Sequence, residues 1–401
     1  MAEVRDEARS WSRLDGVDLL RGLAIFFVLM NHVNMQLLFA DVPYTRGLPK
    51  RLVSSLVWNG QQGVQIFFAV SGFLITATSL RRWKSLDRVS VADFYLLRFA
   101  RIAPLLLGLL AILSLLHLMH VRHFVVSAET GGLGRALVAA LTFHVNWLEA
   151  SRGYLPGNWD ILWSLSVEET FYLAFPWVCR LLGRGRLLIA LLLAFVVLGP
   201  FGRSVLTHGN PVWREYSYLG GMDAIAMGCL TAIALHGRRL SRTRLWLLGG
   251  VGGALLMFCL VFSRTAYAWI PERTGLYMSV VGIGASLLIA VAAQTGWRSP
   301  RVFAPLLRAG QRSYEIYLTH MFVVIALAGA FTATGSAMWA VPPFFIGVLV
   351  IAGLLGEAVA RIYSEPMNRW LRGRWNDGAA SMGSVLDCQA RALRSEDHSA
   401  V

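Results

Sequence analysis

The sequence predicts an all-α polytopic integral membrane protein of about ten transmembrane helices, with both termini cytoplasmic. Three observations carry that prediction. Hydrophobic residues make up 56% of the 401-residue chain and charged residues only 15%, and the mean hydropathy is +0.55, far from the balance of a soluble domain. Apolar runs long enough to cross a bilayer recur at roughly 18–40, 60–80, 95–120, 160–182, 187–205, 217–236, 243–264, 274–294, 313–334 and 341–363, separated by Arg, Pro and Gly. Of the 37 Lys and Arg, all but Arg46, Lys50, Arg51, Arg122, Arg135, Arg152, Arg203, Arg214, Arg264 and Arg273 fall on the side of that arrangement that holds both termini, as the enrichment of cytoplasmic loops in cations requires.

The first run is expected to stay in the mature chain, because Arg5, Arg9 and Arg13 alternate with Asp6, Glu7 and Asp15 and no small-residue cleavage site follows. Gly134 to Trp147 is apolar but too short to cross, so it is read as a re-entrant or interfacial helix. Beyond Trp375 the chain turns polar and loses its periodicity. The expected division is therefore a cytoplasmic N-terminal segment 1–16, a transmembrane domain 17–366 and a largely disordered cytoplasmic tail 367–401. The net charge of +14 lies between apolar runs rather than in a patch interleaved with exposed aromatics, which points to the lipid surface and away from nucleic acid. Cys179, Cys229, Cys259 and Cys388 have no CxxC or metal-like spacing, so neither a structural disulfide nor a metal is expected. The H-x-x-H-x-x-H at 117–123 lacks an acidic companion and is not read as a metal site.

Chemistry concentrates where polar groups enter apolar runs. In VDLLRGLAIFFVLMNHV, Arg21 and His32 share one helix face about 16 Å apart, which sets Arg21 at a membrane edge and His32 near the midplane. A His at that depth is either a functional group or packing glue bonded to a neighbouring helix. Arg98 and Arg101 share a face of the third run, behind Arg81, Arg82, Lys84 and Arg88. Anchoring to anionic lipid explains the loop cations, whereas two guanidiniums entering the membrane together are better read as a site for a phosphate-bearing ligand. On the fourth run Ser164, Glu168 and Tyr172 form a polar stripe, and counting back from Arg180 puts Glu168 near the level of His32, although Glu168 or Glu169 could instead face a watery vestibule. Ser313, Tyr317 and His320 line the ninth run, making His320 a rival base to His32. Asp223 and Glu357 are expected to pair with arginines of other helices.

Taken in order, DLLRG with His32, GVQIFFAVSGFLI, LRFARIAP, WSLSVEETFY, SYEIYLTH and the closing YSEP resemble the membrane acyltransferase family 3. These are bacterial O-acyltransferases of surface polysaccharides and related glycoconjugates. The resemblance spans about Asp18 to Pro366, departs from the pattern at Gly221 and Met222, and implies a multi-pass protein of the bacterial inner membrane. It implies transfer from cytoplasmic acyl-CoA, usually acetyl-CoA, used as a co-substrate rather than held as a resident cofactor, to a hydroxyl of a carbohydrate or glycoside. Arg21 and His32 match the family's essential pair, Arg98 and Arg101 its paired arginines, and Glu168 the acid of its fourth-span motif. Arg21, Arg98 and Arg101 are thus expected to bind the donor, with His32 as general base and Glu168 orienting its ring. A covalent acyl-histidine is the variant mechanism. Some members carry an added esterase-like domain; with only a short tail here, the chain is expected to act alone. A secondary transporter would also place polar residues at the midplane, but it should show internal repeats and paired broken spans, and neither is evident. A non-catalytic scaffold gives no reason for an Arg pair and a midplane His.

The charge asymmetry makes a direct prediction of orientation. Alkaline phosphatase fused after Arg374 should be inactive while a fluorescent protein at the same point is bright; the reverse would mean an odd number of spans.

Overall fold

The computed structural model describes residues 14–375, which are helices and connecting turns with no strand among them. Residues 1–13 and 376–401, with Cys388, His398 and most of the expected tail, lie outside the described residues. Ten long helices coincide with the ten apolar runs: α1 Asp15–Phe39, α2 Gly60–Trp83, α3 Val91–Leu118, α4 Leu162–Leu182, α5 Arg186–Arg203, α6 Tyr218–Leu235, α7 Arg242–Leu260, α8 Leu276–Thr295, α9 Ser313–Ala333 and α10 Val341–Val359. Nine of these stretches are both long and apolar enough to cross a membrane. The exception, α4, has the length but carries Glu168 and Glu169 among its apolar residues.

Local chemistry sets the helix ends. Ser90, Ser217 and Ser241 cap α3, α6 and α7 by accepting from the backbone N–H groups of Asp93, Gly220 and Arg244. Asp15 and Asp18 occupy the first turn of α1, where the helix dipole favours acids. Gly134 to Trp147 does not form one helix. It splits into Gly132–Leu141 and Val145–Arg152, broken where Phe143 turns to φ 58°. Ten helical residues rise about 15 Å, half the thickness of a bilayer core, so neither piece can span. In the turn between α2 and α3, the Ser85 hydroxyl and Arg184 hold the Asp87 carboxyl below the usual carboxylate range and tie that turn to the end of α4.

Helices pack through small residues. α2 and α6 form the most extensive pair, and a Cβ on Gly72 would lie 1.9 Å from the Ile225 carbonyl oxygen while one on Gly228 would lie 2.0 Å from that of Ala69. Such a reciprocal approach requires glycine on both sides. Beside it, fully buried Asp223 pairs with Arg203 at 2.6 Å and accepts from Ser279 (2.6 Å) and Gln65 (2.9 Å), so one carboxylate joins α2, α5, α6 and α8. Arg203 spends its other donors on the carbonyls of Gly220 and Gly275. Glu357 gathers Arg308, Arg312 and Arg361 at 2.8, 3.0 and 2.5 Å. Both acids thus take the arginine partners expected of them. Cys179, Cys229 and Cys259 are buried free thiols.

After α10 the chain does not stop at residue 366. A five-residue π-helix, Ala360–Ser364, leads into helix that runs to Trp375, and Tyr363 donates to the Pro104 carbonyl of α3 at 3.0 Å. The helix that follows carries Arg372 to the wall of a cavity among the spans.

Removing one partner of the buried pair should cost far more than a surface change. Asp223→Ala is expected to destabilise the detergent-solubilised protein by about 3–5 kcal/mol, because Arg203 is left charged and uncompensated. Thermal unfolding followed by tryptophan fluorescence would show it.

Candidate active site

α1, α2, α3, α4 and α9 surround a cavity of about 940 Å³. Its walls carry the arginines and acids singled out from the sequence: Arg21, Arg98, Arg101, Glu168 and Glu169 all line it, with Arg82, Arg312 and Arg372. Arg21 donates to Asp18 one turn back (3.2 Å) and to Ser313 of α9 (2.8 Å), which joins the first and ninth spans.

The two arginines of α3 have different surroundings. Arg98 is bound to Glu169 at 2.8 Å, lies 3.9 Å from Glu168, and stacks over the Tyr172 ring at 3.7 Å. It is largely spent on the protein itself. Arg101 has no carboxylate partner among the described residues and touches only the Tyr314 ring, whose hydroxyl donates to the Ile102 carbonyl. Arg372 lines the same cavity and leaves its Nε without a hydrogen-bond partner. Among the described residues, Arg81, Arg82, Arg101 and Arg372 are the cavity arginines with no carboxylate partner. The sequence alone places Arg372 in the tail, because the polar character of that stretch conceals the contact of nearby Tyr363 with the bundle.

Glu168 does not face His32. It accepts hydrogen bonds from Ser71 and from Tyr172 (2.7 Å), forming a cluster beneath Arg98. One turn along α4, Ser164 approaches the Tyr317 hydroxyl at 2.6 Å, and that hydroxyl donates to the Ile161 carbonyl at 3.0 Å. Tyr317 in turn leads to the histidines, so Glu168 lies short of their level. Counting residues up one helix gives a height along that helix alone and does not say which side chains of a neighbouring helix it meets. The sequence signals Ser71 as a lone hydroxyl in the apolar run FFAVSGFLI.

The partner of His32 is His320. Their nitrogens, Nδ1 of His32 and Nε2 of His320, are 3.1 Å apart and the ring centroids 4.9 Å. His32 Nδ1 also lies 2.9 Å from the Val28 carbonyl, and His320 Nδ1 lies 2.7 Å from that of Tyr317. A carbonyl oxygen can only accept, so each Nδ1 carries a hydrogen. His320 Nε2 is then a lone pair that accepts from His32 Nδ1–H. This assignment, drawn from the partners, leaves His32 Nε2 as the unprotonated nitrogen. His320 is fully buried, whereas His32 is partly exposed. Of the two rings His32 is the more accessible, and its Nδ1 is held between the Val28 carbonyl and His320.

With this geometry in hand, likeness to known proteins is informative. An acyltransferase domain model matches residues 14–357. The chain belongs to the membrane acyltransferase family 3. It is 24% identical over 382 residues to the O-acetyltransferase OatA of Staphylococcus aureus, covering 89% of this chain and 57% of that protein. It is similarly 24% identical to the peptidoglycan O-acetyltransferase OatA of Listeria monocytogenes, over 80% of this chain and 51% of that one. The chain thus spans little more than half the length of these relatives. Acyltransferase MdmB of Streptomyces mycarofaciens is 27% identical over 78% of this chain and 79% of its own. No solved structure matches. Family membership sets aside the transporter reading.

The contrast between the α3 arginines is testable without substrate. Arg98→Ala leaves Glu169 uncompensated and should lower stability by about 3 kcal/mol, whereas Arg101→Ala should unfold with the wild type. Equal melting of the two variants would contradict the division of roles.

Proposed function

We propose that this protein is a membrane O-acyltransferase that moves an acyl group, acetyl in the simplest case, from cytoplasmic acyl-CoA to a hydroxyl of a sugar in a surface polysaccharide, glycolipid or secreted glycoside. The observation that carries the reading is a cavity lined with arginines on the α1–α9 seam, whose next polar level is a histidine with a free Nε2. Arg101, Arg82 and Arg372 receive the phosphates of the donor through charge-assisted hydrogen bonds. Arg21 and Arg98, held by Ser313 and Glu169, shape the walls that guide the thioester inward, past Ser71 and Tyr317.

At the histidine level the acceptor hydroxyl donates to His32 Nε2. As that nitrogen takes the proton, the oxygen attacks the thioester carbonyl, and the tetrahedral intermediate collapses with release of the thiolate. The thiolate recovers the proton from His32 Nε2, leaving ester, free thiol and neutral imidazole. While His32 is doubly protonated, the lone pair of His320 Nε2 faces its Nδ1–H and stabilises the imidazolium. Glu168 keeps the Ser71–Tyr172 cluster in place at the cavity wall and takes no proton from the acceptor. The names of the relatives support the class of reaction, and the OatA proteins support a glycan acceptor.

His32→Ala should lose about 10²–10⁴-fold in acyl transfer while still binding acyl-CoA, and His32→Gln, which cannot take a proton, should fail equally. His320→Ala should lose only about tenfold, the worth of one hydrogen bond to the ring. Membrane vesicles assayed with labelled acetyl-CoA would measure this. A dead His320→Ala beside an active His32→Gln would move the base to α9. Mass spectrometry of surface glycans and secreted glycosides, with and without the gene, would identify the acceptor.

A further inference from the structure

A second cavity, of about 550 Å³, lies on the other flank of the α1–α9 seam, between α1, α10 and the short helix Ala304–Gln311. Its lining is apolar along most of its length. Two rows of side chains form its long walls: Gly22, Ile25, Phe26 and Leu29 on α1, and Val350, Gly353, Leu354 and Glu357 on α10. Each row spans seven residues, about 10 Å, and the rows run antiparallel, so Gly22 and Glu357 mark one end and Leu29 and Val350 the other.

The end at Gly22 is charged. Arg308 donates two hydrogen bonds to Glu357 and Arg361 donates one, while their side chains remain 56% and 62% exposed. Arg312 joins Glu357 to Glu365, so three guanidiniums face two carboxylates and most of the N–H donors of Arg308 and Arg361 are unspent. An apolar channel with a cationic rim, open sideways between helices that span the bilayer, is complementary to one amphiphile. We propose that this groove is a binding site for an anionic phospholipid of the membrane, with its phosphate between Arg308 and Arg361 and one fatty chain along the walls.

The site bears on catalysis through its inner end. Along the same faces, His32 follows Leu29 by three residues and His320 follows Ile316 by four, so the groove ends about one helical turn from the histidine pair. A seated fatty chain backs the α1–α9 seam with hydrocarbon up to about one helical turn below the two rings, on the flank opposite the arginine-lined cavity. Gly353 offers a clean way to fill the groove, since a Cβ there meets nothing within 4 Å.

The test reads bound lipid and needs no enzymatic turnover, so its outcome is independent of the proposed reaction. Wild-type protein purified in mild detergent should retain phosphatidylglycerol through size-exclusion, detected by lipid mass spectrometry. Gly353→Phe should melt like the wild type and retain about tenfold less. In nanodisc exchange, the double variant Arg308→Gln/Arg361→Gln should lose a preference of about tenfold for phosphatidylglycerol over phosphatidylcholine. Undiminished retention in a well-folded Gly353→Phe would overturn the site. A wild type without any headgroup preference, or a preference that survives loss of both arginines, would overturn the anionic assignment.

Discussion

The structure depends on the seam where α1 meets α9. Arg21 reaches Ser313 at one level of that seam and His32 reaches His320 at another, so the first and ninth spans, far apart in the chain, are held together by polar contacts inside an apolar bundle. In hydrocarbon such groups have no water to fall back on and must find each other. The two contacts fix the rotation of both helices, and that rotation decides what each flank of the seam presents. One flank carries Asp18, Arg21, Ser313 and Tyr317 into a polar cavity, and the other carries Gly22, Ile25, Phe26 and Ile316 into the wall of the apolar groove.

Around this seam the charged residues divide into those that build and those that are left available. Asp223 with Arg203, Glu357 with its three arginines, and Arg98 with Glu169 are paired within the protein, each tying one helix to another. Arg101 and Arg372 lack such partners and face the cavity. The distinction follows from geometry and not from residue type, since Arg98 and Arg101 lie on one face of one helix. Glu169 sits where only the first of them can reach it.

The histidine pair uses the same economy of partners. Two backbone carbonyls fix two ring hydrogens, and the remaining nitrogens are then settled: one is consumed between the rings and one is left on the exposed ring. Orientation by a second imidazole leaves the pair without a fixed negative charge of its own, in contrast to an imidazole held by a carboxylate.

How much of this was legible in the sequence follows from what each kind of residue needs. The ten long helices, the shortness of the apolar stretch Gly134 to Trp147 and the pairing of Asp223 and Glu357 with arginines were determined by the chain alone, because apolar length and the cost of a lone buried charge are local properties; that the stretch breaks into two helices at Phe143 was not. The cavity-lining Arg21, Arg98, Arg101 and Glu168 and the intramembrane His32 stand out in the chain for the same reason. Their partnerships were not. That Glu168 serves Ser71 and Tyr172 instead of His32, that His320 is the buried ring and His32 the partly exposed one, and that Arg372 returns to the cavity depend on how the helices pack and on a π-helix near the end of the fold. Those are set by packing between distant segments, which periodicity within one helix does not encode.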